Sequence, residues 1–519
     1  MPSLLRTVAL AACALLAGCG GEGRGGTTGP VAPPPTRPTL DPTYRASGHA
    51  AAGDVFVQLF EWPWPDVATE CEEVLAPLGF RAAQVSPPQE HAVLPDGPWW
   101  ERYQPASYSL ERSRSGTEAE FRDMVRRCAA AGVGIYVDAV INHMAGADGT
   151  GSAGTAFAKY AYPGLWDRPD FHPACAVSDY RDAANVQDCE LLGLADLDTG
   201  RDGVRTTLSE YLLGLVRLGV AGFRIDAAKH IQPVELDAIL DLVNEGASRE
   251  GLPRPWVFAE VIDQGGEAVR ARDYFGLGYG SGGAADITEF RYRGVGEKFA
   301  GTGGQRPVDL ATFSEAAWGL IPSDKAVVFL ENHDTQREGG LRYADGDAYR
   351  LANVWMLAQP YGYPRVMSSY AFAAGPAGRD EGPPSDASGA TLPVRCATGL
   401  EDATIGDWVC EHRDPYIGRM VAFRRAVAGT PVTGWWDDGD RAIAFSRGDR
   451  GFVALNLADS TVTVDTPTPL PSGAWCDVLG GGPEAGGCAG RALEVGEDGR
   501  IRLELEPGQA VAIHVGARP

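Results

Sequence analysis

Three carboxylic acids stand at the ends of separate short apolar runs: Asp226 in GFRIDAAKH (222–230), Glu260 in VFAEVID (257–263) and Asp334 in VVFLENHD (327–334). A fourth run, GIYVDAVINH (134–143), ends in Asn142 and His143, and His333 precedes Asp334. An ionised carboxylate opposite a protonatable one is the equipment for cleaving a glycosidic bond: one attacks the anomeric carbon and the other protonates the leaving oxygen. Arg224 precedes Asp226 by two residues, and positions i and i+2 of a strand share a side, so Arg224 is expected beneath that carboxyl, keeping it ionised. A single acid after a strand is usually a helix cap or a solvated loop residue; four such runs in succession point to a site.

The runs also declare the elements that carry them. Their β-branched, nearly continuous hydrophobicity is that of strands buried on both faces of a parallel sheet. Closed into a (β/α)8 TIM barrel, such strands gather their C-terminal ends into a catalytic face. VFVQLF (55–60) and AAQVSP (82–87) read as the first two strands, with GIYVDAV third, GFRI fourth, VFAEV fifth, ITEF (287–290) sixth, VVFLEN seventh and RVMSS (365–369) eighth. The stretch 144–206 is rich in Gly, Asp and aromatics without helical period, which predicts an inserted domain after the third strand, the barrel occupying 49–143 and 207–429. Beyond Thr430, short strands such as AIAFSR, GFVALNL and IRLELE follow without helices, predicting a C-terminal antiparallel β-sandwich over 430–519. The Gly/Pro/Asp/Ser-rich segment 373–395 reads as an exposed loop.

Composition narrows the partners. Across 519 residues, 45 Lys and Arg against 69 Asp and Glu give a net charge of −24, which disfavours nucleic acid and anionic membrane surfaces and suits a neutral substrate. At the N-terminus, Arg6 precedes the apolar TVALAACALLAG, and Leu16-Ala17-Gly18-Cys19 resembles a bacterial lipobox. Residues 1–19 are therefore expected to direct export with acylation of Cys19, and the Gly/Pro/Thr-rich 20–48 to tether the protein to a membrane through that anchor alone; an ordinary secretory signal is the alternative. Setting aside Cys13 and Cys19 leaves eight of the ten cysteines, an even number suited to disulfides outside the cytoplasm, with pairing open from spacing.

On these four runs the chain resembles the α-amylase superfamily of glycoside hydrolases, and within it the chloride-dependent animal-type members, from VFVQLFEW (55–62) to the C-terminal domain. The resemblance implies an enzyme that cuts α-1,4-glucosidic bonds of starch and glycogen internally, with retention, through a covalent glycosyl-enzyme; a monomer is expected, though nothing in the sequence reveals the oligomeric state. Asp226 would be the nucleophile, Glu260 the general acid/base and Asp334 the third carboxylate, with His143, His333 and Arg224 around the sugar. The WWERYQP run would line the cleft through Trp99, Trp100, Tyr103 and Gln104; Tyr180, Lys229, His230 and Ile262 match further substrate contacts. Sugar rings present apolar faces, for which exposed aromatic rings are stacking platforms.

Two ions are implied as well. Calcium would take side-chain oxygens from Asn142 and Asp196 and main-chain carbonyls from Gln187 and His230, consistent with a hard cation. Chloride would lie among Arg224, Asn332 and Arg365, offsetting the two arginines so that Glu260 stays protonated. Implied disulfides are Cys71 with Cys128, Cys175 with Cys189, Cys396 with Cys410, and Cys476 with Cys488. The chain departs from the animal pattern at Ala145, where a further cysteine would stand, and at 338–344, where EGGLRYA replaces a Gly- and His-containing loop. An exo-acting or transglycosylating relative and a non-catalytic glucan-binding surface lipoprotein are the other readings; intact Asp226, Glu260 and Asp334 disfavour the last.

Overall fold

The computed structural model describes residues 52–276 and 285–519; Cys19, the leader and the tether lie outside the described residues. Eight parallel strands close a barrel in sequence order: β1 (Phe56–Leu59), β2 (Ala82–Val85), β3 (Gly134–Ala139), β4 (Gly222–Ile225), β5 (Trp256–Ala259), β6 (Ala285–Thr288), β7 (Ala326–Val328) and β8 (Tyr363–Ser368), with β8 returning to β1. All eight expected strands are present, and β6 and β8 begin two residues earlier than their sequence signals.

Helices pack around the barrel: α1 (Trp64–Glu70), α2 (Glu118–Ala130), α3 (Asp202–Arg217), α4 (Pro233–Arg249), α5 (Arg293–Ala300), α6 (Asp347–Ala358) and α7 (Pro415–Ala426). α2 illustrates why they form. Thr117 and Glu120 make a reciprocal capping box, and Phe121, Met124, Val125 and Cys128 recur at three- and four-residue steps as one buried stripe. α3 starts at Asp202, inside the stretch 144–206, because an Asp-Gly pair that reads as a turn here opens a helix. Between β3 and α3 the chain makes two-residue strand pairs, among them His143–Met144 against Ala195–Asp196, and a short helix, Ala183–Gln187, capped by Asp182.

Alternation along the strands layers the barrel interior. Phe56, Tyr136, Trp256, Phe258 and Tyr363 fill its floor, with Phe56 and Tyr136 ring centroids 5.4 Å apart. Gly222 is required in this layer, since a Cβ there would come within 2.5 Å of the Trp256 carbonyl oxygen. Two residues further along, the same inward positions carry Gln58, Asp138, Arg224, Glu260 and Arg365. An aromatic floor thus lies beneath a polar layer, and the strand period alone sets the step between them.

The C-terminal domain is two four-stranded antiparallel sheets. One has the order β9 (Val432–Asp437), β10 (Ala442–Arg447), β11 (Gly451–Asn456), β16 (Ala510–His514); the other has β12 (Val462–Pro467), β15 (Arg500–Leu505), β14 (Ala492–Val495), β13 (Gly473–Cys476). Phe452, Val464, Trp475, Ile501 and Ile513 fill the space between them, while Ile443, Phe445, Val453 and Leu455 join the main core. Arg447 Nη2 donates to Thr430 O at 2.7 Å, and buried Arg424 Nη2 to Gly362 O at 2.7 Å, satisfying carbonyls at this junction. The four implied disulfides all form: Cys71–Cys128, Cys175–Cys189, Cys396–Cys410 and Cys476–Cys488.

Candidate active site

Arg224 is the hub of the polar layer. From β4 its Nη1 donates to Asp138 Oδ1 at 2.5 Å and to Asp226 Oδ1 at 3.0 Å, while Nη2 donates to Glu260 Oε1. Asp138 is also held by Tyr103 OH at 3.0 Å and Gln84 Nε2 at 3.4 Å. Immediately after Asp226, Ala227 adopts the left-handed conformation (φ 48°, ψ 28°), uncommon for a residue with a Cβ. Its N–H donates to Glu260 Oε2 at 3.0 Å, so the strained turn after one carboxyl positions the other.

The electrostatics correct one expectation. Burial, reinforced by Glu260, Asp138 and Asp334, pushes Asp226 well above the usual carboxylate range against the pull of Arg224. Burial likewise raises Asp138. Arg224 opposes that shift at Asp226 while it is shared among three carboxyls, so its charge is divided and not given to Asp226 alone. Asp334 is pushed up to about 7 by burial and the neighbouring Glu260. Asp138, Asp226 and Asp334 thus share one pattern, burial and neighbouring carboxyls raising each against the pull of Arg224.

Both histidines are neutral. Burial and nearby arginines hold His333 well below its ordinary value, and burial brings His143 down to about 4. The ring of His333 stacks between Phe60, at 4.8 Å, and Tyr103, at 5.2 Å. Gln58 Nε2 lies 3.1 Å from His333 Nδ1; an amide donating there leaves the proton on Nε2, which faces Asp334 Oδ2 at 3.4 Å. His143 Nε2 donates to Tyr103 O at 3.0 Å, with Asn142 Nδ2 3.2 Å from its Nδ1.

The predicted substrate contacts form two groups. Trp99 meets Tyr103 and His333 edge-on, at 6.0 and 5.3 Å, and Trp100 Nε1 donates to Asp380 Oδ1 at 3.2 Å; Gln104 Oε1 accepts from Gly146 N at 3.1 Å. In the second group the Lys229 ammonium lies 4.8 Å from the Tyr180 ring, donates to Ile262 O at 2.7 Å and pairs with Glu267. Tyr180 and Ile262 are 39% and 37% exposed, unusual for side chains of their size and available to a ligand. His230 Nδ1 lies 2.8 Å from Val186 O, and Lys229 N donates to Glu260 O at 3.2 Å, joining this group to the acids.

The ion-site residues differ in chemistry. Arg365 Nη1 donates to Gln84 Oε1 at 3.1 Å, but its buried Nε and Nη2 have no hydrogen-bond partner, a donor pair suited to an anion. Burial and Arg224 lower Arg365 to about 10. Asn332 Nδ2 reaches Asp334 Oδ2 at 3.4 Å. At the other site Asn142 Nδ2 lies 3.3 Å from Asp196 Oδ1 and His172 Nδ1 lies 2.7 Å from Asp196 Oδ2; burial pushes Asp196 up to about 6 against the pull of His172. Gln187 turns its side chain to Tyr274 OH at 3.1 Å, so only its main chain could serve an ion. Among the described residues no three His, Cys, Asp or Glu gather as a metal site; a hard cation would depend on amide and carbonyl oxygens.

Sequence reasoning passed over Asp138, Gln58, Gln84 and Arg337. The first three are polar residues inside apolar strand runs, an inward-pointing signal that strand period could have exposed; Arg337 stands in a loop and carries no such signal.

Residues 75–250 match the family described as "Alpha amylase, catalytic domain", and residues 435–516 match "Alpha amylase, C-terminal all-beta domain". An α-amylase of Tribolium castaneum is 45% identical over 484 residues, covering 90% of this chain and 95% of that protein. Pancreatic alpha-amylase 2a5 of Mus musculus is 43% identical over 493 residues, covering 89% and 94%. The crystal structure of wild-type alpha-amylase I from Eisenia fetida superposes with a TM-score of 0.81 at 38% identity, covering 91% of this chain and 99% of that one. With the closed barrel, the paired acids on its C-terminal face and relatives matched over nearly their whole length, the chain belongs to the α-amylase family of glycoside hydrolases.

Proposed function

We propose that the protein is an endo-acting α-amylase that hydrolyses α-1,4-glucosidic bonds of starch and glycogen with retention, using Asp226 and Glu260. The observation that carries this reading is the single Arg224 guanidinium contacting both carboxyls through adjacent nitrogens. One guanidinium holding both acids makes them neighbours, and a retaining mechanism expects their carboxyls roughly 5–5.5 Å apart.

Asp226 Oδ attacks the anomeric carbon as the glycosidic oxygen departs with the proton of Glu260, leaving a glycosyl ester on Asp226. Glu260, now a carboxylate, takes a proton from water; that oxygen bonds the anomeric carbon, and the ester C–O bond breaks to regenerate Asp226. Asp334 and neutral His333 hold sugar hydroxyls, while Trp99, Trp100, Tyr103, Gln104 and His143 wall one side of the cleft. Tyr180, Lys229, His230 and Ile262 extend it on the other. A product time course on starch tests this function: early loss of iodine colour with mixed oligosaccharides is expected, and a single small or cyclic product would favour the exo-acting or transglycosylating alternative.

Chloride fits between Arg224, Asn332 and Arg365, where it would share the arginines' positive charge and leave Glu260 readier to keep its proton. Replacing chloride with gluconate should lower activity several-fold and shift its optimum to lower pH; an unchanged profile contradicts the site. Calcium would be held by Asn142, Asp196 and the main-chain carbonyls of Gln187 and His230, taking the Asp196 oxygen now paired with His172, and would tie the barrel to the 144–206 segment. Chelation should lower the thermal midpoint, and an unchanged midpoint on calcium removal would rule out a structural ion. Four disulfides suit an exported protein. Acylation of Cys19 would hold it on a membrane; cleavage as an ordinary signal would release it.

A further inference from the structure

Arg337, just beyond Asp334, joins three loops of the active-site face. Its Nη1 donates to His333 O at 2.7 Å, and its Nη2 to Tyr370 OH at 2.8 Å, which in turn donates to Glu381 O at 2.6 Å. The guanidinium lies 5.1 Å from the Trp99 ring and 4.2 Å from Phe372. The same Trp99 donates its Nε1 to Arg379 O at 2.9 Å. Arg337 thus touches the loop after β2 through Trp99, the loop after β7 through His333, and the loop after β8 through Tyr370 and Phe372.

We propose that Arg337 is a positioning residue that fixes Trp99 and His333 relative to each other and so sets the sugar-binding wall beside the acids. This rests on the reading of the cleft as a glucan site. Only a planar guanidinium can offer two separately aimed N–H groups while its faces meet aromatic rings; an ammonium offers a point charge. The device also anchors the segment 338–344, where the chain departs from the animal pattern: Arg342 lies 4.9 Å from the Phe372 ring that faces Arg337. The substitute loop is therefore tied to the cleft wall by an aromatic ring between two arginines.

Arg337 also bears on the charge of Asp334, which Glu260 and Glu338 push up and Arg224 and Arg337 pull down, with neutral His333 alongside. The test compares Arg337→Met and Arg337→Lys with wild type on starch. Arg337→Met should lower kcat by roughly 10²-fold, the cost of about 1 Å of misplacement, with a thermal midpoint close to wild type. Losing the cation raises Asp334 further, so the acid limb of its kcat/KM profile should move to higher pH. Arg337→Lys keeps the charge without the two-point grip; it should restore the acid limb and leave kcat low. Wild-type kcat in either variant, or losses that only track a fallen midpoint, would overturn the proposal, and Arg337→Lys alone decides it if Arg337→Met does not fold. Failure of the wild type to cleave starch would instead overturn the glucan reading.

Discussion

Asp226→Asn should lower kcat on starch by on the order of 10⁴-fold or more, while substrate binding and the thermal midpoint stay close to wild type. The amide keeps the shape of the carboxyl and can still meet Arg224 Nη1, which donates at 3.0 Å to Asp226 Oδ1. What it loses is the oxygen nucleophile, and with it the covalent step. Folding should tolerate the change, because burial and three neighbouring carboxyls already push Asp226 toward its neutral form. Kinetics on starch with a parallel thermal melt separate these effects; a loss below about tenfold would remove Asp226 from the nucleophile's role.

Arg224→Met attacks the site from below. It removes the cation shared by Asp138, Asp226 and Glu260, and breaking a buried charge network by deleting one partner costs about 3–5 kcal/mol. Set against a typical stability of roughly 5–15 kcal/mol, that is a large fraction. The pH dependence has a definite sign. Asp138 and Asp226 already sit above their ordinary value, and without Arg224 they rise further. From the unfolded value of about 4 up to the raised folded value, the native state binds more protons than the unfolded chain, so stability falls as pH rises through that window. Urea unfolding should show a greater loss at pH 8 than at pH 5. Adding Asp138→Asn should recover part of it, and equal losses at both pH values would contradict the shared-charge account.

The sequence exposes the acids because chemistry and fold coincide there. An apolar strand that must end in an ionisable residue is visible as a break in a run, as in GFRIDAAKH and VVFLENHD. The polar layer below is harder to read: Gln58 and Asp138 interrupt their runs, but without knowledge of which neighbours face inward their partners cannot be assigned. Arg224 shows the consequence. Its place beneath Asp226 follows from strand period, whereas its division among three carboxyls depends on the register of β3, β4 and β5. α3 begins earlier than its composition suggests because burial of Val204 and Leu208 outweighs the turn propensity of Asp202-Gly203. Arg337 was illegible because the groups it joins come from loops after β2, β7 and β8, brought together only by barrel closure.

The most direct test is to trap the glycosyl-enzyme with a slow-turnover fluorinated α-glucosyl substrate and map the adduct by peptide mass spectrometry. A single sugar ester on Asp226 is the predicted result, and an adduct on Glu260, Asp334 or any other carboxyl would contradict the assignment.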